Sequence, residues 1–286
     1  MHPYKKTLIQ IETSTACNAK CLMCPRDQQT RPHGVMDESL FWKIVEEAKE
    51  LGIRKLFPFI DGEPFSDPRM TRFIGSLSSD YPEIELGIST NASQLDRAKA
   101  ESMLQSANLT KINVSIQGGD KETYERVTGL NWDVTTRNVE MLIETNNRME
   151  SPKTIRISMC IFSETKNSEA EFRMRWDREH VIICTGSFSN FGGIASDEES
   201  ERFWMDKPRR VCNRAIDHVY VFWNGDIGQC CFDLKQTVTY GNIKDSSLRE
   251  IIGSDKYQSM MESHRRIEVS GMPEICRKCN SNKFAG

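Results

Sequence analysis

Cys17-Asn18-Ala19-Lys20-Cys21-Leu22-Met23-Cys24 places three thiols within eight residues. The stretch follows a strand-like run at residues 7–12 (TLIQIE), so the thiols sit in the loop where that strand ends. Three thiolates so spaced reach one metal centre but leave a fourth position open. Structural zinc and iron–sulfur sites ordinarily take four protein ligands. Two arrangements answer to the spacing: an iron–sulfur cluster with one open iron, or a zinc site completed by His33 or a distant residue.

Outward from this loop, two periodicities alternate. Residues 37–51 read as a helix, with Asp37 as N-cap and Phe41, Ile44, Val45 and Ala48 on one face. Further helices are expected at 68–79, 96–105, 121–146 with a break near Gly129, and 168–178. Strands are expected at 55–60, 84–89, 111–116, 155–162 and 180–185. With residues 7–12 these make six strands separated by helices, which predicts right-handed crossovers and a parallel sheet. Under helices, such strands should be apolar on both faces. After Gly193 the pattern changes. Residues 196–210 read as a linker or short helix, and 246–264 as one amphipathic helix carrying Leu248, Ile251, Ile252, Met260 and Met261. Asn224-Gly225 between runs at 218–223 and 226–230 predicts a hairpin with a type I′ turn. The expected domains are 1–193 and 194–286.

Composition narrows the function. The chain has 286 residues and a formal net charge of −3, which argues against a general nucleic-acid binder. No apolar run approaches the roughly 20 residues of a membrane span. The N-terminus shows no secretory signal, so a cytoplasmic location is expected. In that setting ten cysteines, eight of them clustered, point to metal rather than disulfides. Cys160 and Cys184 stand alone in strands and read as small apolar residues.

The cysteine loop, after the first strand of a βα array, resembles the radical S-adenosylmethionine (radical SAM) superfamily. Asp61-Gly62-Glu63-Pro64, Ser89-Thr90-Asn91, Ser115-Ile116-Gln117 and the run YERVTG at 124–129 agree in order. Two departures are visible: Asp61 stands where the family has Gly, and Met23 where it more often has an aromatic residue. The resemblance implies a partial (β/α)6 barrel with a [4Fe–4S] cluster on Cys17, Cys21 and Cys24. SAM would chelate the open iron and be split reductively to a 5′-deoxyadenosyl radical. It implies Met23 beside the adenine and Gly62, Glu63 and Pro64 near the methionine amino group. Ser89 and Asn91 would lie at the ribose and carboxylate, with Ser115 and Gln117 completing the cofactor site. A flavodoxin or ferredoxin is the implied reductant.

Cys212, Cys230, Cys276 and Cys279 make a second set, suited to zinc or to a [4Fe–4S] cluster. The run VFWNGDIGQCCFD at 221–233, with GNI at 241–243 and SLREII at 247–252, resembles the SPASM/twitch extension, in its short form with one auxiliary cluster. The run FSNFGG at 188–193 resembles the loop joining barrel to extension. Cys231 is left over. It is expected as a hydrogen-atom donor, the other readings being a packed small residue or the ligand in place of Cys230. Glu12, Asp61 and Asp233 are possible bases or substrate contacts, and Arg156 and Ser158 are expected to face a barrel interior. His33, His180 and His218 show no ligand spacing. The leading expectation is an epimerase of a small polar, sugar- or aminocyclitol-like substrate. Kept beside it are a dehydrogenase resembling those of aminocyclitols, a peptide-modifying enzyme, and an iron–sulfur or zinc electron carrier. The small substrate is favoured because a peptide-recognition domain ahead of the first strand is missing from the sequence.

Overall fold

The computed structural model describes residues 6–283. Among these, nine strands form: β1 (Leu8–Ile11), β2 (Lys55–Phe57), β3 (Glu85–Thr90), β4 (Leu109–Ser115), β5 (Ile155–Ile161), β6 (Val181–Ser187), β7 (His218–Val221), β8 (Asp226–Gly228) and β9 (Thr239–Asn242). Two compact units divide them. One takes in the chain up to Thr15, Pro25–Asp61 and everything from Ser189 on; the other takes Ala16–Cys24 and Gly62–Phe188.

In the first unit β1 is central, parallel to β2 on one side and to β7 on the other. β8 and β9 then extend antiparallel from β7. Leu8, Ile9, Ile11, Val219 and Val221 are buried, which explains why this short, apolar β1 is flanked on both edges. The helix Glu38–Glu50 starts where expected, because the Asp37 carboxylate accepts from the Ser39 and Leu40 N–H groups. It buries Phe41, Ile44, Val45 and Ala48. Each of its larger apolar side chains contributes roughly 1.5–3 kcal/mol by leaving water.

Two expectations are corrected here. The hairpin between β7 and β8 exists, but Phe222 N–H bonds to the Asp226 carbonyl and Gly225 N–H to that of Phe222. Gly225 has φ +92° while Asn224 is not among the positive-φ residues. This is a three-residue loop with its glycine in the left-handed region, not a type I′ turn, which needs two positive φ values. The single helix expected at 246–264 is two, Leu248–Gly253 and Asp255–Arg265. Ser254 is extended between them, and its hydroxyl accepts from Tyr257 N–H to cap the second. A serine that caps a new helix competes with continuing the old one.

The second unit carries β3-β4-β5-β6 in that order, all parallel. Helices Met70–Asp80, Arg97–Gln105, Lys121–Thr128, Trp132–Asn147 and Glu169–Trp176 alternate with strands along the chain. The break at Gly129 is a left-handed C-cap with φ +68°. The strands are not apolar on both faces. Ile88, Ile112, Val114, Ile155, Ile157 and Met159 are buried. The alternate positions Ser89, Asn113, Ser115, Arg156 and Ser158 are half-buried or exposed, and lie in register across the sheet. A polar face across adjacent parallel strands is what a sheet offers when one side is left for a ligand instead of helices.

Close packing in the first unit gives a test. A Cβ on Gly34 would sit 2.4 Å from the Trp223 ring, whose indole N–H is fixed on the Pro32 carbonyl. Overpacking of this kind costs about 1–3 kcal/mol. Gly34→Ala should therefore lower the melting temperature by several degrees in a thermal unfolding scan, and an unchanged value would contradict this packing.

Candidate functional site

The cysteine loop is held by the end of a helix. The last carbonyls of any helix lack intrahelical partners. Here Lys20 N–H bonds to the Thr128 carbonyl at 2.8 Å and Leu22 N–H to that of Val127 at 2.9 Å. The run at 124–129 thus supplies a backbone anchor for the three-thiol loop. Tyr124, which opens that run, is itself fixed by its hydroxyl donating to Thr135 Oγ1 at 3.0 Å. Burial raises the Tyr124 pKa to about 12, and Cys21 and Glu63 lie close enough to add to the rise.

The other side of the loop meets a buried carboxylate. Glu63 N–H bonds to the Ala16 carbonyl at 2.9 Å. Its side chain, 4% exposed, accepts from Thr90 Oγ1 at 2.5 Å, Asn91 N–H at 2.7 Å and Phe65 N–H at 3.3 Å. Burial raises its pKa, with those three donors acting against the rise. Pro64, buried, opens the short turn Pro64–Ser66 that Glu63 caps, and Gly62 precedes it half-buried. Asn91 Nδ2 then donates to Asn18 Oδ1 at 3.0 Å, and Asn18 Nδ2 to Ser93 Oγ at 2.7 Å. Cys loop, Glu63 turn and the end of β3 are one hydrogen-bonded assembly within the second unit. Ser89 accepts from Asn113 at 2.8 Å. Gln117 Nε2 donates to Ser115 Oγ at 2.5 Å while its Oε1 accepts from Cys160 N–H at 2.8 Å. Met23 is buried at the end of the loop. Asn18, Thr90 and Tyr124 lie inside the stretches CNAKCLMC, Ser89-Thr90-Asn91 and YERVTG, yet none of the three is singled out as a site residue by the sequence.

None of the described cysteines is in a disulfide. Among the described residues no three His, Cys, Asp or Glu side chains gather closely enough for one metal ion. A four-iron cube instead holds its thiolates on separate irons, so spaced thiols on one pinned loop fit it.

In the first unit, Cys212, Cys230, Cys276 and Cys279 line a single cavity of about 390 Å3, counting its open mouth. Phe232 N–H points at Cys230 Sγ and Ser281 N–H at Cys279 Sγ, each at 3.4 Å. Burial pushes the Cys212, Cys230 and Cys276 thiols up, and neighbouring thiols push them further. Such a set ionises together only if a cationic centre offsets the charge. The donor set therefore fits an iron–sulfur cluster. The Phe188–Gly193 run braces it: Asn190 and Asn280 exchange backbone-to-side-chain bonds at 3.0 and 3.1 Å, and Gly192 lines the cavity. Arg209 was missed by sequence reasoning. It spans the turn that carries Cys276 and Cys279, donating to the Cys276, Arg277 and Cys279 carbonyls.

Cys231 does not line that cavity. Its neighbours are Arg214, Asp61 and Tyr220, the last by a hydrogen bond, and burial raises its pKa to about 11. Glu12 and Asp61 are not independent groups. Arg31, another residue passed over, takes both Glu12 oxygens at 2.5 and 2.8 Å and Asp61 Oδ2 at 3.0 Å. Glu12 also accepts from Trp223 N–H, so it holds structure instead of awaiting a substrate. Asp233 is spent on Thr237 and Val238 N–H groups and is likewise structural. His33 bonds with Thr15 and His218 with Tyr220. Arg156 is exposed, and among the described residues it forms no ion pair.

These two centres can be set against known proteins. The Radical SAM superfamily model matches residues 11–172, more than half of the chain. The chain belongs to the radical SAM superfamily. The SPASM model, an iron–sulfur cluster-binding domain, matches residues 212–280. The S-adenosyl-L-methionine-dependent 2-deoxy-scyllo-inosamine dehydrogenase of Niallia circulans is 21% identical over 281 residues, covering 96% of this chain and 93% of that protein. A probable GTP 3′,8-cyclase of Methanococcus vannielii is 27% identical over 135 residues, 47% of this chain; the chain spans only 44% of that relative's length. Among solved structures, BtrN in complex with AdoMet and 2-DOIA superposes with TM-score 0.67 at 19% identity, over 98% of this chain and 95% of that one. Streptococcus suis SuiB bound to S-adenosylmethionine gives TM-score 0.70 at 15% identity, over 94% and 71%. The fold is therefore the unclosed α/β barrel of radical SAM proteins, with a C-terminal part containing antiparallel strands. The cofactors that go with these domains are SAM, a SAM-binding [4Fe–4S] cluster and auxiliary iron–sulfur. Among the described residues, no helix is long and apolar enough to cross a membrane.

The Asp61 environment has a measurable consequence. Burial and the nearby Glu12 charge raise its pKa well above the usual range, and Arg31 opposes this incompletely. The folded chain therefore holds the Asp61 proton more tightly than the unfolded chain. That stability is full below the ordinary Asp pKa of about 4 and is lost as pH rises through the folded value. Asp61→Asn removes this slope. Thermal unfolding across pH 4–8 should show wild type losing ground to the variant as pH rises; a gap that is constant or moves the other way contradicts the assignment.

Proposed function

We propose that this radical SAM enzyme epimerises a small polar, sugar- or aminocyclitol-like substrate, with Cys231 as the hydrogen-atom donor. The carrying observation is that Cys231 stands outside the cavity its four companion cysteines line, beside a buried tyrosine. Cys17, Cys21 and Cys24 would hold the SAM cluster, and Cys212, Cys230, Cys276 and Cys279 the auxiliary one. Residues 1–193 would form the barrel part and 194–286 the extension. Bound SAM and its cluster supply a 5′-deoxyadenosyl radical able to take hydrogen from an unactivated C–H bond.

The chain's own residues do the rest. Glu63, held by Thr90 and Asn91, fixes the turn of Gly62 and Pro64 beside the cysteine loop. Met23 would pack on the adenine, while Ser89, Asn91, Ser115 and Gln117 offer polar contacts to the nucleotide. Arg156 and Ser158, on the polar strand face, suit a substrate rich in hydroxyl or amino groups. The Cys231 S–H bond breaks as a C–H bond forms on the substrate radical, from the face opposite to abstraction. The sulfur radical left behind would be restored by one electron and one proton, the electron coming from a flavodoxin- or ferredoxin-type reductant.

A dehydrogenase is the second reading, favoured by the whole-length similarity to the Niallia circulans enzyme. There the substrate radical would lose a proton and pass an electron to the auxiliary cluster. Turnover in deuterium oxide separates the two. Epimerisation predicts one solvent deuterium in a product of otherwise unchanged mass, and loss of epimer formation in Cys231→Ala. A product lighter by two hydrogens, or normal turnover of the Cys231→Ala variant, would overturn the donor role.

A further inference from the structure

Among the described residues that line the four-thiol cavity, Arg214 is the one Lys or Arg. Of its lining side chains, Gln229, Ser281 and Asn282 are uncharged polar groups, and His264 is held neutral. The His264 Nδ1–H is committed to the Met260 carbonyl at 2.9 Å, its Nε2 has no partner, and burial lowers its pKa. Arg214 is the exception. Among the described residues no carboxylate pairs with it, and it donates no hydrogen bond that would anchor its guanidinium. It lies instead over the Phe232 ring, 4.8 Å from the centroid, on the residue that sends its own N–H to Cys230 Sγ. Its charge acts on Cys231, Cys212 and Cys230. Arg209 and Asp233 act on Cys276 with opposite signs, and Arg209 is fixed by carbonyl oxygens.

A guanidinium is expensive to half-bury without a partner. Proteins retain one where an anion arrives later. A four-thiolate [4Fe–4S] centre is an anion that gains a further negative charge on reduction, and its potential follows net charge and hydrogen bonds at the sulfurs. We propose that Arg214 is a positioning residue whose charge, seated on Phe232 beside Cys212 and Cys230, favours the reduced state of the auxiliary cluster. This rests on the reading of Cys212, Cys230, Cys276 and Cys279 as ligands. The role is the same whether the cluster receives an electron from a substrate radical or passes one to Cys231.

The test is an anaerobic redox titration followed by electron paramagnetic resonance. It uses the full chain with Cys17, Cys21 and Cys24 all replaced by Ala, so that only the auxiliary cluster titrates. In that background about four irons per chain are expected from one four-iron cluster. Near-zero iron would refute the ligand set itself, separately from Arg214. With iron retained, Arg214→Gln should lower the reduction equilibrium at least tenfold, about 59 mV for a one-electron couple. Arg214→Lys, which keeps the charge, should stay within threefold of the parent. A Gln variant that keeps its iron at the parent potential overturns the inference. If the Gln variant loses iron, the Lys variant decides: a potential displaced by tenfold or more overturns it, and one near the parent's supports it.

Discussion

A buried carboxylate with three donors organises the second unit. Glu63 joins the cysteine loop, through Ala16, to the end of β3, through Thr90 and Asn91. Burying that group is tolerable only because its oxygens are hydrogen-bonded. The same bonds fix the backbone on which Asn91 reaches Asn18. Three thiols can then be offered from one short, pinned loop. The helix end at Val127 and Thr128 completes the support, using carbonyls that needed donors in any case.

The first unit solves a related problem with different parts. Three of its cavity thiols, Cys212, Cys230 and Cys276, resist ionisation alone, because burial and neighbouring thiols favour the neutral form. N–H groups of Phe232 and Ser281 aimed at sulfur, and Arg214, which no carboxylate pairs among the described residues, are features that an anionic centre would repay. Arg31 shows the complementary case. Two buried acids, Glu12 and Asp61, share one guanidinium, and Asp61 occupies a position where the family pattern has glycine.

Much of this was legible in the sequence, for reasons that can be named. The first helix start followed from capping chemistry, the Asp37 carboxylate accepting from first-turn N–H groups, whereas the same role of Asp96 and Asp120 emerged only in the structure. The thiol spacing near the start, and the later set of distant cysteines, carried the expectation of two iron–sulfur sites. What escaped was long-range or depended on competition between local choices. Nothing near Arg31 announces Glu12 and Leu234 as its partners, since one lies 19 and the other 203 residues away. Nothing local says that β7 would lie parallel to β1. Ser254 could continue a helix or cap a new one, and periodicity of the apolar residues is the same either way. The polar face of β3 to β5 was visible as alternation in Ser89, Asn113 and Ser158, but the rule that covered parallel strands are apolar on both sides concealed it.

The most direct measurement is 5′-deoxyadenosine release from SAM by anaerobically reconstituted, chemically reduced protein. The native chain should release it, and the Cys24→Ala variant should release none. Failure of the native chain to release it, with the iron of both clusters in place and aminocyclitol substrates supplied, would contradict the account at its base.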